Sequence, residues 1–195
     1  QNSIISQGLM GHSAGGLIQA DNITLYRNLY VDNSTRNNKV KGKNQYVNNI
    51  VYNWQNGCYI MGGDSEGSSY SIAEGNLFIN GPAKGGNAFT GGNARVHMYA
   101  NDNWQDRDMD GVFDPYEIPQ SEYSGGPTFQ SIRFDYPVVP LWSAKELLTN
   151  SLPTVGASLP YRDHADWYVI NEVLSLGKKG ALISTEETLP IGIPT

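Results

Sequence analysis

Short apolar runs that each follow an asparagine recur along the first half of the chain. Four segments superimpose as asparagine, three mostly apolar strand formers and a polar residue, and they begin at Asn2, Asn28, Asn49 and Asn76. One such unit is too short to bury its own apolar face, so stacked coils must supply the core, with every strand parallel to its neighbour. The pattern predicts an all-β solenoid in which asparagines stack at equivalent corners. The alternative is an asparagine-rich meander of hairpins, which the scarcity of two-residue turns between the apolar runs disfavours.

The pattern changes near residue 100, and it divides the chain into three predicted parts. Coils occupy residues 1–100, an acidic loop follows at 101–117, and an irregular cover with short helices runs over 118–195. Ser143 and Asp163 are N-cap candidates for two of these helices, the later of which ends near Gly177. We expect the helices to lie against the solenoid, and the tail from Lys178 to Thr195 to be extended.

Composition narrows the choice of partners. The chain has 13 Lys and Arg against 19 Asp and Glu, a formal charge of −6 and a pI of about 4.9. No basic field is present to hold a polyanion, so nucleic acid is not an expected partner. With no run of 18 apolar residues and a mean hydropathy of −0.42, no membrane span is expected either. The single Cys58 lies in an apolar run, which favours a buried structural thiol.

The one dense group of cations falls on a turn between two apolar strands. It contains Arg36, Lys39, Lys41 and Lys43. A solvated charge run is the plain interpretation of such a cluster. Its position on a loop of a rigid scaffold favours a local anion site instead.

At these residues the chain resembles polysaccharide lyase family 1, the pectate lyases, and most of all their bacterial branch. The resemblance includes the stretches that begin at Asn2, His12, Arg36 and Val47, and it implies a right-handed parallel β-helix. In that family an Arg-x-Pro-x-x-Arg stretch precedes a Val-x-Asn-Asn strand. Arg36 matches the first arginine, the proposed catalytic base, while Lys41 replaces the second and Asn38 replaces the proline.

The chemistry that the resemblance implies is β-elimination on an acidic, pectate-like polysaccharide outside the cell. A base removes the C5 proton of a uronic acid, and cations neutralise the carboxylate beside it. Lys39, Lys41, Lys43 and His12 are then substrate-binding candidates. Because guanidinium holds its proton tightly, Arg36 is either an unusual base or an electrostatic group. A catalytically silent carbohydrate-binding or surface-adhesion solenoid is the alternative function.

The resemblance also sets an expectation about completeness. In that family the acidic calcium ligands of the groove lie on coils that precede the arginine motif. We therefore expect the chain to be the C-terminal portion of a larger β-helix, with the N-terminal portion of the same precursor as its partner.

A second motif lies in the acidic loop and has the spacing of an EF-hand calcium loop. Positions 1, 3, 5, 9 and 12 are carboxylates, position 6 is Gly111, and position 7 offers a backbone carbonyl. The predicted ligands are Asp106, Asp108, Asp110, Val112, Asp114 and Glu117. No flanking helices are evident, so we predict an isolated structural Ca²⁺ loop inserted in the solenoid. An acidic surface loop without metal is the alternative.

Overall fold

The chain winds into a parallel β-solenoid of about five turns. The computed structural model describes residues 1–62, 67–157 and 161–189. In spatial order, sheet I holds β1 (Ile4–Ser6), β4 (Leu29–Val31), β7 (Ile50–Tyr52), β10 (Leu77–Ile79), β13 (Trp104–Asp106) and β14 (Tyr116–Glu117). Sheet II holds β11 (Phe89–Thr90), β8 (Tyr59–Ile60), β5 (Lys39–Val40) and β2 (Leu17–Ile18). Sheet III holds β15 (Thr128–Phe129), β12 (Val96–Asn101), β9 (Ser69–Glu74), β6 (Lys43–Val47) and β3 (Ile23–Tyr26).

The prediction of a parallel β-helix is confirmed. Neighbouring strands from successive coils pair in parallel in all three sheets, and among the described residues the one antiparallel pair joins β13 to β14. The coils also continue further than the pattern indicated. Strands β13 and β15 extend sheets I and III into the stretch predicted as loop and cover.

Aromatic side chains fill the interior of the coils. The ring centroids of Tyr46 and Tyr59 lie 4.9 Å apart, and those of Phe89 and Tyr123 lie 4.2 Å apart in a stacked pair. Cys58 is buried among them, and burial raises the pKa of its thiol well above the usual range. It is therefore a packing residue rather than a nucleophile.

An asparagine ladder runs along the corner between sheets III and I. The side-chain oxygen of Asn49 accepts hydrogen bonds from the backbone N–H (3.0 Å) and the amide of Asn28 (3.1 Å). Asn76 does the same for Asn49 at 2.9 and 3.3 Å, and Asn103 for Asn76 at 3.2 and 2.8 Å. All four are almost fully buried, so the ladder satisfies backbone groups that water cannot reach.

The predicted ladder register is wrong in the first coil by one residue. Ile4 pairs with Leu29, so Ser3 and not Asn2 lies opposite Asn28. Asn2 has the left-handed φ of +53° that its equivalents Arg27 and Asn48 also have. Asparagine suits both this left-handed position and the ladder position after it, because its short amide tolerates positive φ. An asparagine count alone cannot separate the two.

Two helices cover the outer face of sheet I, as predicted. Helix α1 (Ala144–Ser151) begins after Ser143, whose N–H and hydroxyl both bond to the Glu146 carboxylate. Helix α2 (His164–Leu174) is capped by Asp163, which accepts from the Asp166 N–H at 2.9 Å. Apolar residues of both helices pack on outward-facing residues of β4, β7 and β10.

The segment before α1 covers sheet III, where Arg133 forms a 3.0 Å ion pair with Glu74. Neither described helix has the length and apolar run that crossing a membrane requires. The tail is irregular to residue 189 and contains a 3₁₀ turn at Glu186–Thr188. Residues 158–160 of the predicted cover and residues 190–195 of the predicted tail lie outside the described residues.

A buried carboxyl pair joins α2 to the solenoid. The Gln7 amide donates to Asp32 at 2.6 Å and to Glu172 of α2 at 3.5 Å, and the Asn53 amide also donates to Asp32. Burial first, and then the neighbouring Glu172, raise the pKa of Asp32 to about 9. Burial beside a second carboxylate therefore favours the protonated form of Asp32 in the folded protein.

We expect the loss of one amide from the asparagine ladder to lower the free energy of unfolding substantially. Replacing Asn49 by alanine leaves the buried N–H of Asn28 without an acceptor, and each such group costs about 1–3 kcal/mol. Chemical denaturation of Asn49→Ala should show that loss. The matched control Asn171→Ala, on the exposed face of α2, should unfold like the parent protein. Equal midpoints for Asn49→Ala and the parent would contradict the structural role of the ladder.

Because the pKa of Asp32 is raised, we expect the free energy of unfolding to fall as the pH rises. The folded protein binds the Asp32 proton up to about pH 9, whereas an unfolded aspartate releases it near pH 4. The contribution is complete below pH 4 and is lost as pH rises toward 9. Asp32→Asn, which keeps a neutral side chain at every pH, should flatten the dependence of the melting temperature on pH between these limits. An unchanged slope would contradict the raised pKa of Asp32, and the exposed Asp135→Asn serves as the control.

Candidate active site and calcium loop

The turn from β4 to β5 is fixed by backbone hydrogen bonds to the coils on both sides. The N–H of Arg36 donates to the Gly57 carbonyl at 2.9 Å, and the Arg36 carbonyl accepts from Gly16 at 2.7 Å. Arg36 itself has a φ of +52°. Within the same turn, the Asn37 carbonyl accepts from the buried Tyr46 hydroxyl at 2.8 Å. The backbone from which the Arg36 side chain extends is therefore held rigidly.

Arg36 lines an open cleft together with His12. The cleft has a volume of about 360 Å³, and its walls come from residues 10–13, residues 34–36 and Asn56. Arg36 Nη1 lies 2.9 Å from His12 Nε2. The structure thus brings together the predicted catalytic arginine and one of the predicted substrate-binding residues, which are 24 positions apart in the chain.

The Arg36 guanidinium has no carboxylate partner among the described residues. By contrast, Arg107 pairs with Glu122 at 2.9 Å and Arg133 pairs with Glu74 at 3.0 Å. In the part of the chain that the structure describes, the bond to His12 is its one side-chain hydrogen bond. An uncompensated guanidinium in a cleft of an acidic protein is suited to an anionic ligand.

The three predicted lysines lie further along the coil than Arg36. Lys39 is in β5 opposite Leu17 and Ile60, Lys41 is at the corner that follows, and the exposed Lys43 begins β6 in another sheet. None of them lines the cleft within the described residues. The single basic patch suggested by the sequence is therefore spread around a corner, because the backbone there is extended and changes sheets.

Sheet II presents a solvent-facing strip beside this turn. Its register aligns Leu17, Lys39, Ile60 and Thr90 on neighbouring coils. Leu17 is 49% exposed and the other three are half-buried, whereas their chain neighbours Val40, Tyr59 and Phe89 point into the core. Lys39 is the one cation in this strip, next to the Arg36 turn.

Some members of the cleft were not predicted from the sequence. Ser34 and Asn56 reach it because their turns stack on the loop that carries His12, and Asn56 Nδ2 lies 3.3 Å from the Ser34 hydroxyl. The available signal was the Asn-Gly pair at 56 and 57, which marks a turn. No ring for sugar stacking comes from Tyr30, Tyr52, Tyr59 or Trp54, because all four are core residues that are at most 2% exposed.

The acidic loop is a hairpin between β13 and β14. Asp106, Asp108 and Asp114 each offer a carboxylate oxygen, and these oxygens lie within 4.8 Å of one another. Asp106 is the last residue of β13 and is 3% exposed, and its Oδ2 has no hydrogen-bond partner among the described residues. Burial, followed by the charges of Asp108 and Asp114, raises the pKa of Asp106 to about 6. Such an arrangement can hold a cation.

The other predicted ligands are placed differently. Asp110 and Glu117 lie outside this group of three carboxylates. Glu117 is held in β14 opposite Trp104, because a strand and not a returning helix leaves the loop. Asp110 accepts from the N–H of Val112 at 2.7 Å, which shapes the turn. Gly111 has a φ of +83° and packs against Lys178, so a side chain there would be both strained and blocked.

Known proteins are similar to this chain over the residues of both the cleft and the acidic loop. No protein-family model matches the chain. A protein of Neosartorya fischeri named probable pectate lyase C is 48% identical over 192 residues, which are 97% of this chain and 46% of that protein. Proteins of the same name from Aspergillus fumigatus and Emericella nidulans are 47% and 45% identical, over 97% and 96% of this chain. Over nearly its whole length, the chain is similar to fungal proteins named probable pectate lyase C.

These relatives are longer than this chain, and they come from fungi. The chain spans about half the length of the curated relatives it matches, with 46% of the first two and 44% of the third covered. These relatives are fungal, so the comparisons support the pectate lyase resemblance but not its bacterial branch.

Proposed function

We propose that this chain carries the catalytic turn of a pectate lyase that cleaves an acidic polyuronate by β-elimination. The observation that carries the proposal is Arg36, a guanidinium on a rigid turn that faces a cleft and has no carboxylate partner among the described residues. It occupies the position to which the arginine motif assigns catalysis, in a chain 48% identical to a probable pectate lyase C.

The reaction makes specific demands on this site. The C5–H bond of a uronic acid breaks, its electron pair forms the C4–C5 double bond, and the C4–O bond to the leaving sugar breaks. The base takes the C5 proton, and the leaving oxygen acquires one. Negative charge develops at C5 and on the adjoining carboxylate, so a fixed cation lowers the barrier where that charge appears. In this proposal Arg36 supplies this charge, and Lys39 on the neighbouring strip contacts the carboxylate of a further residue of the polymer.

We also propose that the hairpin loop binds Ca²⁺. Three clustered carboxylates and a buried, unpartnered Asp106 oxygen fit a hard cation that prefers oxygen ligands. Asp106, Asp108 and Asp114 would hold the ion. Asp110, Glu117 and the Val112 carbonyl remain proposed ligands on their spacing. When bound, Ca²⁺ neutralises the carboxylates and so stabilises the hairpin at the end of β13.

The rest of the groove is proposed to come from further coils of the same precursor. Strands β1, β2 and β3 each pair on one side only with a described strand, so this edge can accept another parallel strand. Because pectate is a cell-wall polymer, we propose that the protein acts after secretion or at the cell surface.

The alternative is a carbohydrate-binding solenoid without catalysis. The fold, the strip on sheet II and the calcium loop would serve such a protein equally well. What favours the lyase is the arginine in the catalytic position of the motif, so the two functions separate at Arg36.

Removing the arginine should abolish most of the activity. Arg36→Ala is expected to lower the formation of unsaturated uronides from polygalacturonate by about 10²–10³-fold, because a fixed charge at the reacting centre is lost. Product formation is followed by ultraviolet absorbance. Arg95→Ala, an exposed arginine before β12, is the matched control and should leave the rate unchanged. Full turnover by Arg36→Ala would remove it from the mechanism, and polymer binding without turnover by the parent protein would favour the silent solenoid.

Calcium should stabilise the protein through the hairpin loop. At a free concentration 100 times its Kd, a ligand that binds only the folded state adds about 2.7 kcal/mol. The melting temperature should rise with Ca²⁺, fall with a chelator, and respond to neither in Asp106→Asn. Asp135→Asn, an exposed aspartate outside the loop, should retain the full response. A parent protein that gives no heat of binding on calcium titration would refute the site.

A further inference from the structure

We infer that His12 is a positioning residue that holds the Arg36 guanidinium through a neutral imidazole. The inference rests on the proposed function and assigns to His12 a task different from substrate binding. It starts from the 2.9 Å separation between Arg36 Nη1 and His12 Nε2.

The chemistry of the two groups fixes their roles in this contact. A guanidinium has donors only, so His12 Nε2 must be the acceptor. An imidazole nitrogen that accepts carries no proton, which leaves the single ring proton on Nδ1. The contact therefore requires the neutral ring in one tautomer, and a protonated ring would lose the bond and repel Arg36.

A neutral acceptor can orient a guanidinium without compensating its charge, whereas a carboxylate does both. Arg107 and Arg133 are held by Glu122 and Glu74, which compensate their charge as well as orienting them. The imidazole of His12 orients Arg36 while leaving its full charge for an anion in the cleft. Since the bond uses one nitrogen, the remaining N–H donors of the guanidinium stay available to a substrate carboxylate.

His12 is itself carried on a constrained loop. The N–H of Met10 donates to the Ile183 carbonyl at 2.7 Å, and the N–H of Ser13 donates to the Leu9 carbonyl at 2.8 Å. The Ser13 hydroxyl donates to Gly8 at 2.6 Å and accepts from the Ser34 N–H at 2.9 Å. The histidine loop and the arginine turn are thus fastened to each other, and the side chains of His12 and Arg36 both line the cleft.

Two substitutions distinguish positioning from other roles. His12→Ala removes the acceptor, and we expect kcat on polygalacturonate to fall by about 10–100-fold with a smaller change in KM, as for a misplaced catalytic group. His12→Gln restores an amide oxygen as acceptor and should recover most of kcat. His164→Ala, an exposed histidine on α2, is the control. If His12→Gln is as inactive as Arg36→Ala, or if His12→Ala keeps the parent kcat, the inference is overturned.

A measurement without substrate separates this inference from the proposed function. Nitrogen-15 spectra of the histidine rings should show His12 with a non-protonated, accepting Nε2 in the parent protein and a mixture of tautomers in Arg36→Ala. Identical His12 spectra in both proteins would refute the contact. A parent protein with the expected spectrum but no unsaturated product would instead refute the lyase proposal and leave the contact in place.

Discussion

Hydrogen bonding from one coil to the next is the constraint on which the rest of the structure depends. Each strand is only two to six residues long, so none is stable alone. The asparagine ladder adds side-chain acceptors at the corner where backbone N–H groups would otherwise be buried without partners. Because these hydrogen bonds fix the register of each coil on its neighbour, turns that are far apart in the chain have defined positions relative to one another. The Arg36 turn and the His12 loop meet for that reason.

The ladder and register also explain how far the sequence could predict the fold. The recurrence of asparagine before apolar runs was sufficient for a parallel solenoid, and the N-cap residues Ser143 and Asp163 were sufficient for two helices. The first coil was displaced by one residue because asparagine satisfies two adjacent corner positions for different physical reasons. The coil that contains Asn103 was overlooked because the calcium motif begins inside its strand, at Asp106. Two overlapping signals in one segment cannot be separated by spacing alone.

The candidate site could be predicted only in part. The motif identified Arg36 and suggested His12, yet nothing in the sequence indicated that the two touch, since their contact depends on stacking of turns from different coils. The lysines illustrate the reverse case. Their closeness in sequence suggested one patch, but an extended backbone that turns from β5 into β6 separates them. Proximity in a solenoid follows coil position rather than distance along the chain.

Charged side chains have different surroundings at three places in this acidic protein, around Asp32, Asp106 and Arg36. Asp32 is buried beside Glu172, and burial together with this neighbouring carboxylate raises the pKa of Asp32 and favours its protonated form. The carboxylates around Asp106 are clustered and leave a buried oxygen unpartnered, which is an arrangement suited to a metal ion. At Arg36 the guanidinium contacts the His12 imidazole at 2.9 Å, and no described carboxylate compensates its charge. Burial, crowding and partner chemistry differ among these sites while the fold around them is the same repeated coil. A solenoid can carry such different sites because each coil fixes its own turns, and the side chains on one turn can change with little effect on the pairing of the next.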